Sequence, residues 1–447
     1  MSRRPERIVH LGVGAFFRAH QAWYTNQVDV DGEWGIVGYT GRSATVAQEL
    51  APQDCKYTLI SRDADGDHLQ VIESLVRVED GANVADLVRT VSKPEIALVT
   101  MTITEAGYRV KTDLTLDTTD AEVATDLAIL AGDLPGVPST VIGRLALALD
   151  ERRKAGAGPI AVVSCDNMPE NGTVVRNALE GFAAVMGAQT IGYFQNQVSY
   201  VTTSIDRITP KTTDEDKAFV LSQTGWNDAS PVVTEPFRDW VLSGDFPAGR
   251  PEWENAGARF VADIEPWENR KLWLLNGAHS LLAYAGLIAG HQTVSQAIAD
   301  ESLLTEVVGF WNEACQLLTS STADTATLSL QEYRDALLER FRNPRIRHNL
   351  AQIANEGATK LRVRIAPTAL AQLALGKPAS ASAFTIAAWV HWISRTADYV
   401  DARASEIEAA KALASTPGED SVKALVAIVS PKLAENPGFL SEIKQLQ

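Results

Sequence analysis

The hydrophobic pattern divides the chain into two stretches of different period. In the first, short apolar runs of strand length alternate with longer helical patterns. Arg7 to Leu11, Trp34 to Tyr39, Ile96 to Thr102 and Ile160 to Ser164 read as buried strands, and Ala15 to Val28 and Thr140 to Ala155 as helices. Strands alternating with helices build an α/β domain with a mostly parallel sheet. Tyr57 to Ser61 and Leu69 to Val78 alternate around the turn Asp63-Ala64-Asp65-Gly66 and predict a hairpin inserted in that domain. Asn227 to Pro251, rich in Trp, Pro and Gly, predicts an irregular excursion, with Trp226, Trp240 and Trp253 as packing residues. After Pro266 strand-like runs nearly vanish. Helical spacing governs Glu268 to Leu287, Leu303 to Leu318, Leu330 to Phe341, Ile346 to Asn355 and Ala383 to Ala397. The expectation is an α/β domain with inserted β elements over 1–265, followed by a mostly α-helical domain over 266–447.

Polar residues that interrupt this pattern fall where such folds do chemistry. The first strand runs into Gly12-Val13-Gly14 and then a helix. Glycines at a strand-to-helix turn let backbone approach a pyrophosphate, and the helix N-terminus adds amide donors and a favourable dipole. The spacing suggests a dinucleotide site, but the third glycine of GxGxxG would stand at Phe17, and a lone GxG more often serves tight strand-on-helix packing. The second strand leads into Thr40-Gly41-Arg42-Ser43. An acid there would grip the ribose 2′-hydroxyl of NAD, whereas arginine beside a small hydroxyl suits the 2′-phosphate of NADP. No acid stands between Trp34 and Ala47. Thr102 and Thr104 end the third strand, at the edge where open α/β sheets hold ligands. Asn167 ends the fourth, as an amide donor or as turn and cap chemistry. Asp206 and Arg207 by themselves read as a buried ion pair.

From Pro266 to Gly286 four polar groups, Glu268, Lys271, Asn276 and His279, interrupt an apolar helix-forming run. At roughly 100° per residue with Lys271 at zero, Glu268 falls at about 60°, His279 at about 80° and Asn276 at about 140°. One side of a helix would present all four to a single pocket. A lysine beside Leu272, Trp273, Leu274 and Leu275 would lose hydration on burial, which lowers its pKa and yields a neutral amine, a usable general base. The alternative is a surface lysine at a helix start, with asparagine and histidine as satisfied core polars.

The pattern Lys-x4-Asn-x2-His, at Lys271, Asn276 and His279, resembles the signature of the polyol-specific long-chain dehydrogenases, the mannitol 2-dehydrogenase and fructuronate reductase group. So do LGVGAFFRAHQAWY at Leu11 to Tyr24, TITEAGY at Thr102 to Tyr108, SCDNMPENG at Ser164 to Gly172 and SIDRITP at Ser204 to Pro210. The five segments stand in the family's order and span most of the chain. The resemblance implies a Rossmann-type domain holding a nicotinamide dinucleotide through Gly12, Gly14, Phe16 and Arg18, with Arg42, Ser43, Thr102 and Thr104 as further candidates. It implies metal-independent hydride transfer between that cofactor and the secondary alcohol of a polyol such as mannitol, arabinitol or sorbitol. Lys271 would be the general acid/base, and Asn167 and Asn276 paired donors to the reacting oxygen. His279 would position the substrate or support Lys271. Glu268 resembles the family's proton-relay glutamate; alone, it is an i,i+3 partner of the lysine. Asp206 matches an aspartate that accepts hydrogen bonds from a polyol's hydroxyls.

Many members of that family carry an acid in the loop after the second strand. Its absence here sets NADP beside NAD, with NAD retained on family habit. The basic run Arg345, Arg347, His348, Lys360 and Arg362 reads either as solvated surface or as the source of one or two cations for the substrate, Arg345 and Lys360 being the candidates. Such a cation would suit the alternative substrate class, a hexuronate reduced to an aldonate. A non-catalytic nucleotide-binding sensor on the same fold is the alternative of another class.

Composition narrows the partners. A chain of 447 residues exceeds what one core usually supports, and its 45% hydrophobic and 21% charged residues are ordinary for a soluble globular protein. A formal charge of −16 argues against nucleic acid or an anionic membrane as the main partner, while allowing a local basic pocket. Cys55, Cys165 and Cys315 lack CxxC spacing, so neither a disulfide framework nor a cysteine zinc site is supported, and a reducing cytoplasm fits. The N-terminal MSRRPER leads directly into a strand-like run, without a long apolar segment. The expectation is a cytoplasmic enzyme with a small-molecule substrate, as a monomer or small homo-oligomer.

Overall fold

In the computed structural model, which describes residues 4–321, 326–415, 418 and 420–447, eleven strands are assigned. They are β1 (Glu6–Leu11), β2 (Gly35–Tyr39), β3 (Tyr57–Arg62), β4 (Asp67–Ile72), β5 (Leu75–Glu79), β6 (Leu98–Met101), β7 (Ile160–Ser164), β8 (Val198–Asp206), β9 (Val232–Thr234), β10 (Asp239–Ser243) and β11 (Arg259–Phe260). The chain divides into two units, Met1–Ile264 and Glu265–Gln447.

In the first unit eight strands form one sheet in the order β11-β10-β8-β7-β6-β1-β2-β5. The run β5-β2-β1-β6-β7-β8 is parallel throughout. Read from β1, it is the 3-2-1-4-5-6 order of a Rossmann-type sheet, in which the order of connection reverses between the parallel neighbours β1 and β6. Every residue of β2, β6 and β7 is buried, as strands sandwiched between helices must be. The helix Val141–Ala155 starts where the Thr140 side chain accepts from the Gly143 amide and ends at Gly156, φ 66°.

Four sequence expectations are corrected. Leu69 to Val78 is not one strand of a hairpin: β4 pairs with β3 in a small sheet, and β5 crosses to pair with β2 in the main one. The chain changes ladders at Ser74, whose hydroxyl donates to the Ala22 carbonyl (2.7 Å), and alternation alone does not reveal which ladder a strand joins. The excursion Asn227 to Pro251 supplies β9, beside β3, and β10, antiparallel to β8. Trp240 within it and Trp253 just beyond it are fully buried with ring centroids 4.6 Å apart, so the tryptophans pack the strands in place. The helix from Ala15 to Val28 breaks at His20 into Ala15–Ala19 and Gln21–Val28, because the buried imidazole turns to the Asp239 carbonyl (3.2 Å).

The second unit is mostly helical. Glu265–Arg270, Lys271–Gly277 and Ala278–Ile288 follow without interruption, and Lys271–Gly277 is π-helical. The fourth correction lies here: Ile346 to Asn355 keeps only Leu350–Ile353 as helix. Asn349, just before it, is extended instead and bridges antiparallel to Thr293, the His348 carbonyl accepting from Val294 (3.0 Å) and Leu350 donating to the Gln292 carbonyl (3.0 Å). Among the described residues, no helix is long and apolar enough to cross a membrane.

Candidate active site

Register brings the first unit's candidates to one edge. Leu11 stands opposite Tyr39 and Met101, and Met101 opposite Ser164, so the residues that follow, Gly12, Thr40, Thr102 and Cys165, leave the sheet in one row. β8 runs further, to Asp206, which pairs with Asp239 of β10.

Gly12 has φ 100°, and a Cβ there would lie 2.1 Å from the Thr102 carbonyl oxygen. Only glycine lets β1 and β6 lie this close, and the Thr102 hydroxyl ties the two by donating to the Gly12 carbonyl (2.8 Å). Gly14 differs: it is exposed, and a Cβ would meet nothing nearer than the Gly12 carbonyl at 3.9 Å. The protein's own packing therefore does not demand glycine at 14. The space a side chain would occupy at this residue, which precedes the helix Ala15–Ala19, is open, and such open backbone at a strand-to-helix turn is what close approach of a pyrophosphate requires. These residues fit a dinucleotide.

Beneath the loop lies His10, which sequence reasoning did not single out. Its imidazole is fully buried, stacked on Phe17 at 3.5 Å, with Nδ1 2.8 Å from the Thr100 hydroxyl and Nε2 3.0 Å from the Gly12 carbonyl. Burial pushes its pKa down to about 3, so it is neutral. Phe17 occupies the third glycine position because it packs on this ring. Phe16 is half-buried and stacks on His20. Arg18, expected at the cofactor, turns inward: it donates to the Ser230 carbonyl (2.6 Å) and hydroxyl (2.9 Å), over the ring of Tyr57. A guanidinium this buried takes such partners because it retains its charge. Arg42 and Ser43 are exposed at the end of β2, where the Ser43 and Thr45 hydroxyls are 2.6 Å apart.

At the ends of β6 and β7 the organising group is Asp166. Its buried carboxylate accepts from the Ile103 amide (3.0 Å), the Thr104 amide (2.8 Å) and the Tyr108 hydroxyl (2.7 Å), while burial raises its pKa. Asn167, exposed, follows it. The motif's second asparagine, Asn171, is structural: its amide donates to the Asp166 and Thr203 carbonyls (2.9 and 2.7 Å). Arg207 donates to the Glu235 carbonyl (3.1 Å) and to the Ala19 carbonyl.

In the second unit, the π-helical stretch changes the face computed for a regular helix. Its backbone bonds reach one residue further and leave carbonyls to be covered by side chains. The Trp311 indole donates to Leu274 (2.7 Å), and Ser280 (3.2 Å) and Arg364 (3.3 Å) donate to the Asn276 carbonyl. Lys271 is 9% exposed, and Glu268 is half-buried one turn before it. The Asn276 carboxamide makes no hydrogen bond among the described residues and is available as a donor.

His279 is buried against Phe341 (4.9 Å) and His348 (4.7 Å). Burial, and then the charges of His348, Arg340, Arg364 and Lys360, hold its pKa well below the usual histidine value. Lys360 is half-buried and donates to the Ile353 carbonyl (3.0 Å), its pKa lowered first by burial and then by Arg364. Of the basic run, Lys360 and His348 thus stand near His279. Arg345 and Arg347 are exposed, and Arg362 turns away to the Ile428 carbonyl (2.8 Å). Arg340 and Arg364 were missed, although the i,i+4 spacing of Lys360 and Arg364 on a helix was a usable signal. Among the described residues no group of three or more His, Cys, Asp or Glu side chains is placed to hold a metal ion.

Comparison with known proteins accounts for both halves. The mannitol dehydrogenase Rossmann domain matches residues 6–255, and the mannitol dehydrogenase C-terminal domain residues 263–446. The D-mannonate oxidoreductase of Escherichia coli (strain K12) is 33% identical over 466 residues, covering 99% of this chain and 92% of its own. The crystal structure of a D-sorbitol dehydrogenase in substrate-free form superposes with a TM-score of 0.84 at 29% identity, over 99% of this chain and 95% of that one. The Pseudomonas fluorescens mannitol 2-dehydrogenase, in ternary complex with NAD and D-mannitol, does so at 0.75 and 30% identity, over 100% and 91%. With matches that run the length of both units, the chain belongs to the mannitol dehydrogenase family.

Proposed function

We propose that the protein is an NAD(P)-dependent polyol dehydrogenase that interconverts the secondary alcohol of a polyol and the corresponding 2-ketose, with Lys271 as general acid/base. The observation that carries the reading is the π-helical turn. It buries Lys271 and offers the unpartnered Asn276 amide in a chain whose other unit carries the Gly12 and Gly14 cradle. When bound, the nicotinamide supplies the hydride acceptor or donor. Gly12, Gly14, Thr102 and the backbone of the Thr104 turn are the groups that would hold it, with Arg42 and Ser43 at the ribose.

For the alcohol to lose hydride its hydroxyl proton must leave. Lys271 as a free amine takes it, and as an ammonium returns it in ketone reduction. Asn167 and Asn276 donate to the oxygen as its charge develops, which favours the transition state over the ground state. His279 stays a neutral imidazole and serves by hydrogen bonding. Glu268, one turn before the lysine, passes the proton on. Asp206 accepts from substrate hydroxyls.

A second reading is favoured by one observation, the gathering of His348, Arg340, Arg364 and Lys360 around His279. That much positive charge suits a substrate with a carboxylate, and the D-mannonate oxidoreductase is among the relatives. The test is a spectrophotometric screen of NADH and NADPH oxidation against fructose, xylulose, fructuronate and tagaturonate, beside Lys271→Ala. The expected result is turnover of a neutral ketose that falls by about 10²-fold to 10⁴-fold in the variant. Turnover confined to the uronates transfers the function to uronate reduction, and equal activity of the two proteins removes Lys271 from the mechanism.

A further inference from the structure

The backbone at Thr104 is the outlier of the first unit's ligand edge: φ 66°, ψ 156°, a conformation that belongs to glycine. A threonine persists there only when its surroundings hold it. The Asp166 carboxylate does so, taking the amides of Ile103 and Thr104 on its two oxygens, and is itself steered by the hydroxyl of Tyr108, whose ring is fully buried. That hydroxyl also pairs with the Ser164 hydroxyl, so the clamp is anchored in β7. Asp166 stands directly before Asn167, and the loop beyond is fastened to β8 by Asn171. One carboxylate thus sets the strained end of β6 and the exposed asparagine at the end of β7 in fixed relation.

We propose that Asp166 is a positioning residue for hydride transfer, acting through the Thr104 turn on one side and the adjoining Asn167 amide on the other. This rests on the polyol dehydrogenase reading. An asparagine carboxamide has one acceptor oxygen where the carboxylate has two, so Asp166→Asn leaves one of the two turn amides without a partner. Glycine at 104 adopts the same backbone without being held.

The experiment compares wild type, Asp166→Asn, Thr104→Gly, Thr104→Ala and the Asp166→Asn/Thr104→Gly double variant. Asp166→Asn is expected to lose at least ten-fold in kcat, on whichever polyol the wild type oxidises, with KM for that polyol within three-fold. The double variant is expected to regain at least three-fold in kcat over Asp166→Asn. A kcat unchanged by Asp166→Asn, or one that the second substitution does not raise, overturns the proposal. Two readouts are independent of turnover. Thr104→Gly should melt above Thr104→Ala, and the Thr104 amide should resist hydrogen exchange in the wild type but not in Asp166→Asn. An equal or lower melting temperature for the glycine variant, or an unprotected amide in the wild type, overturns the proposal even if no polyol is turned over.

Discussion

Arg152 shows how much a single residue does away from the site. Its side chain is fully buried, and all five of its N–H groups donate to backbone carbonyls: Val91 and Lys93 (2.8 Å each), Ala157 (2.8 Å), Gly158 and Pro159 (3.1 Å each). Those carbonyls belong to the segments that enter β6 and β7 from below. Arg152→Met keeps the bulk and removes every donor, and is expected to cost about 3 kcal/mol or more, seen as a melting temperature lower by roughly 6 °C or more. At the opposite edge, Arg42 makes no hydrogen bond or ion pair among the described residues, and no carboxylate precedes it on the loop from Thr40. Arg42→Ala should therefore lower kcat/KM for NADPH by about ten-fold, the loss of one charged hydrogen bond, and leave that for NADH within two-fold. Equal effects on the two cofactors would show that the guanidinium does not read the 2′ position. Both residues were visible in the sequence, but only Arg42 could be interpreted there. What Arg152 does depends on five carbonyls from turns that no local pattern brings together.

Among the elements, the π-helical stretch Lys271–Gly277 carries the most consequence. Its wider turn is stabilised from outside by Trp311 and Arg364, which cover the carbonyls of Leu274 and Asn276. Its last residue, Gly277, admits the neighbouring helix: a Cβ there would lie 2.4 Å from Cε1 of Phe310. Gly277→Ala should cost about 1–3 kcal/mol by overpacking. Because Asn276 adjoins it, kcat should fall further than the melting temperature accounts for, and Phe310→Leu in the same chain should restore part of both. Recovery of stability without kcat would show that the turn's geometry is not what the alanine disturbs. The sequence marks Lys271, Asn276 and His279 by their polarity in an apolar run. It does not mark the π turn, because hydrophobic spacing reports which residues are buried and not which carbonyl each amide reaches.

For the whole molecule, two buried neutral histidines couple stability to pH. His10 titrates near 3 and His279 well below its ordinary value, both first through burial. In the unfolded chain each takes a proton below about 6.5. The folded state does not, so as pH falls beneath that value the unfolded chain binds up to two more protons and stability is lost, by up to about 1.4 kcal/mol per pH unit for each histidine. Melting temperature should decline steadily from pH 7 to pH 5, and His10→Gln should flatten the decline. A melting temperature constant over that range would contradict it. Glu6 and Asp86, whose pKa values are lowered by the Arg77 guanidinium against the opposing effect of burial, add their loss only at more acid pH, through and below the ordinary carboxylate range. The alternation of strands and helices, the glycine turn, the change to helix after Pro266 and the polar residues set in the apolar run around Lys271 were all legible in the sequence, since each is written in spacing or in residue type. The allotment of β5 to the main sheet, the strands within Asn227 to Pro251, the inward turn of Arg18, the Asp166 clamp and the cations around His279 were decided by the tertiary structure. Each depends on partners far apart in the chain, which burial, hydrogen bonding and charge bring together only once it has folded.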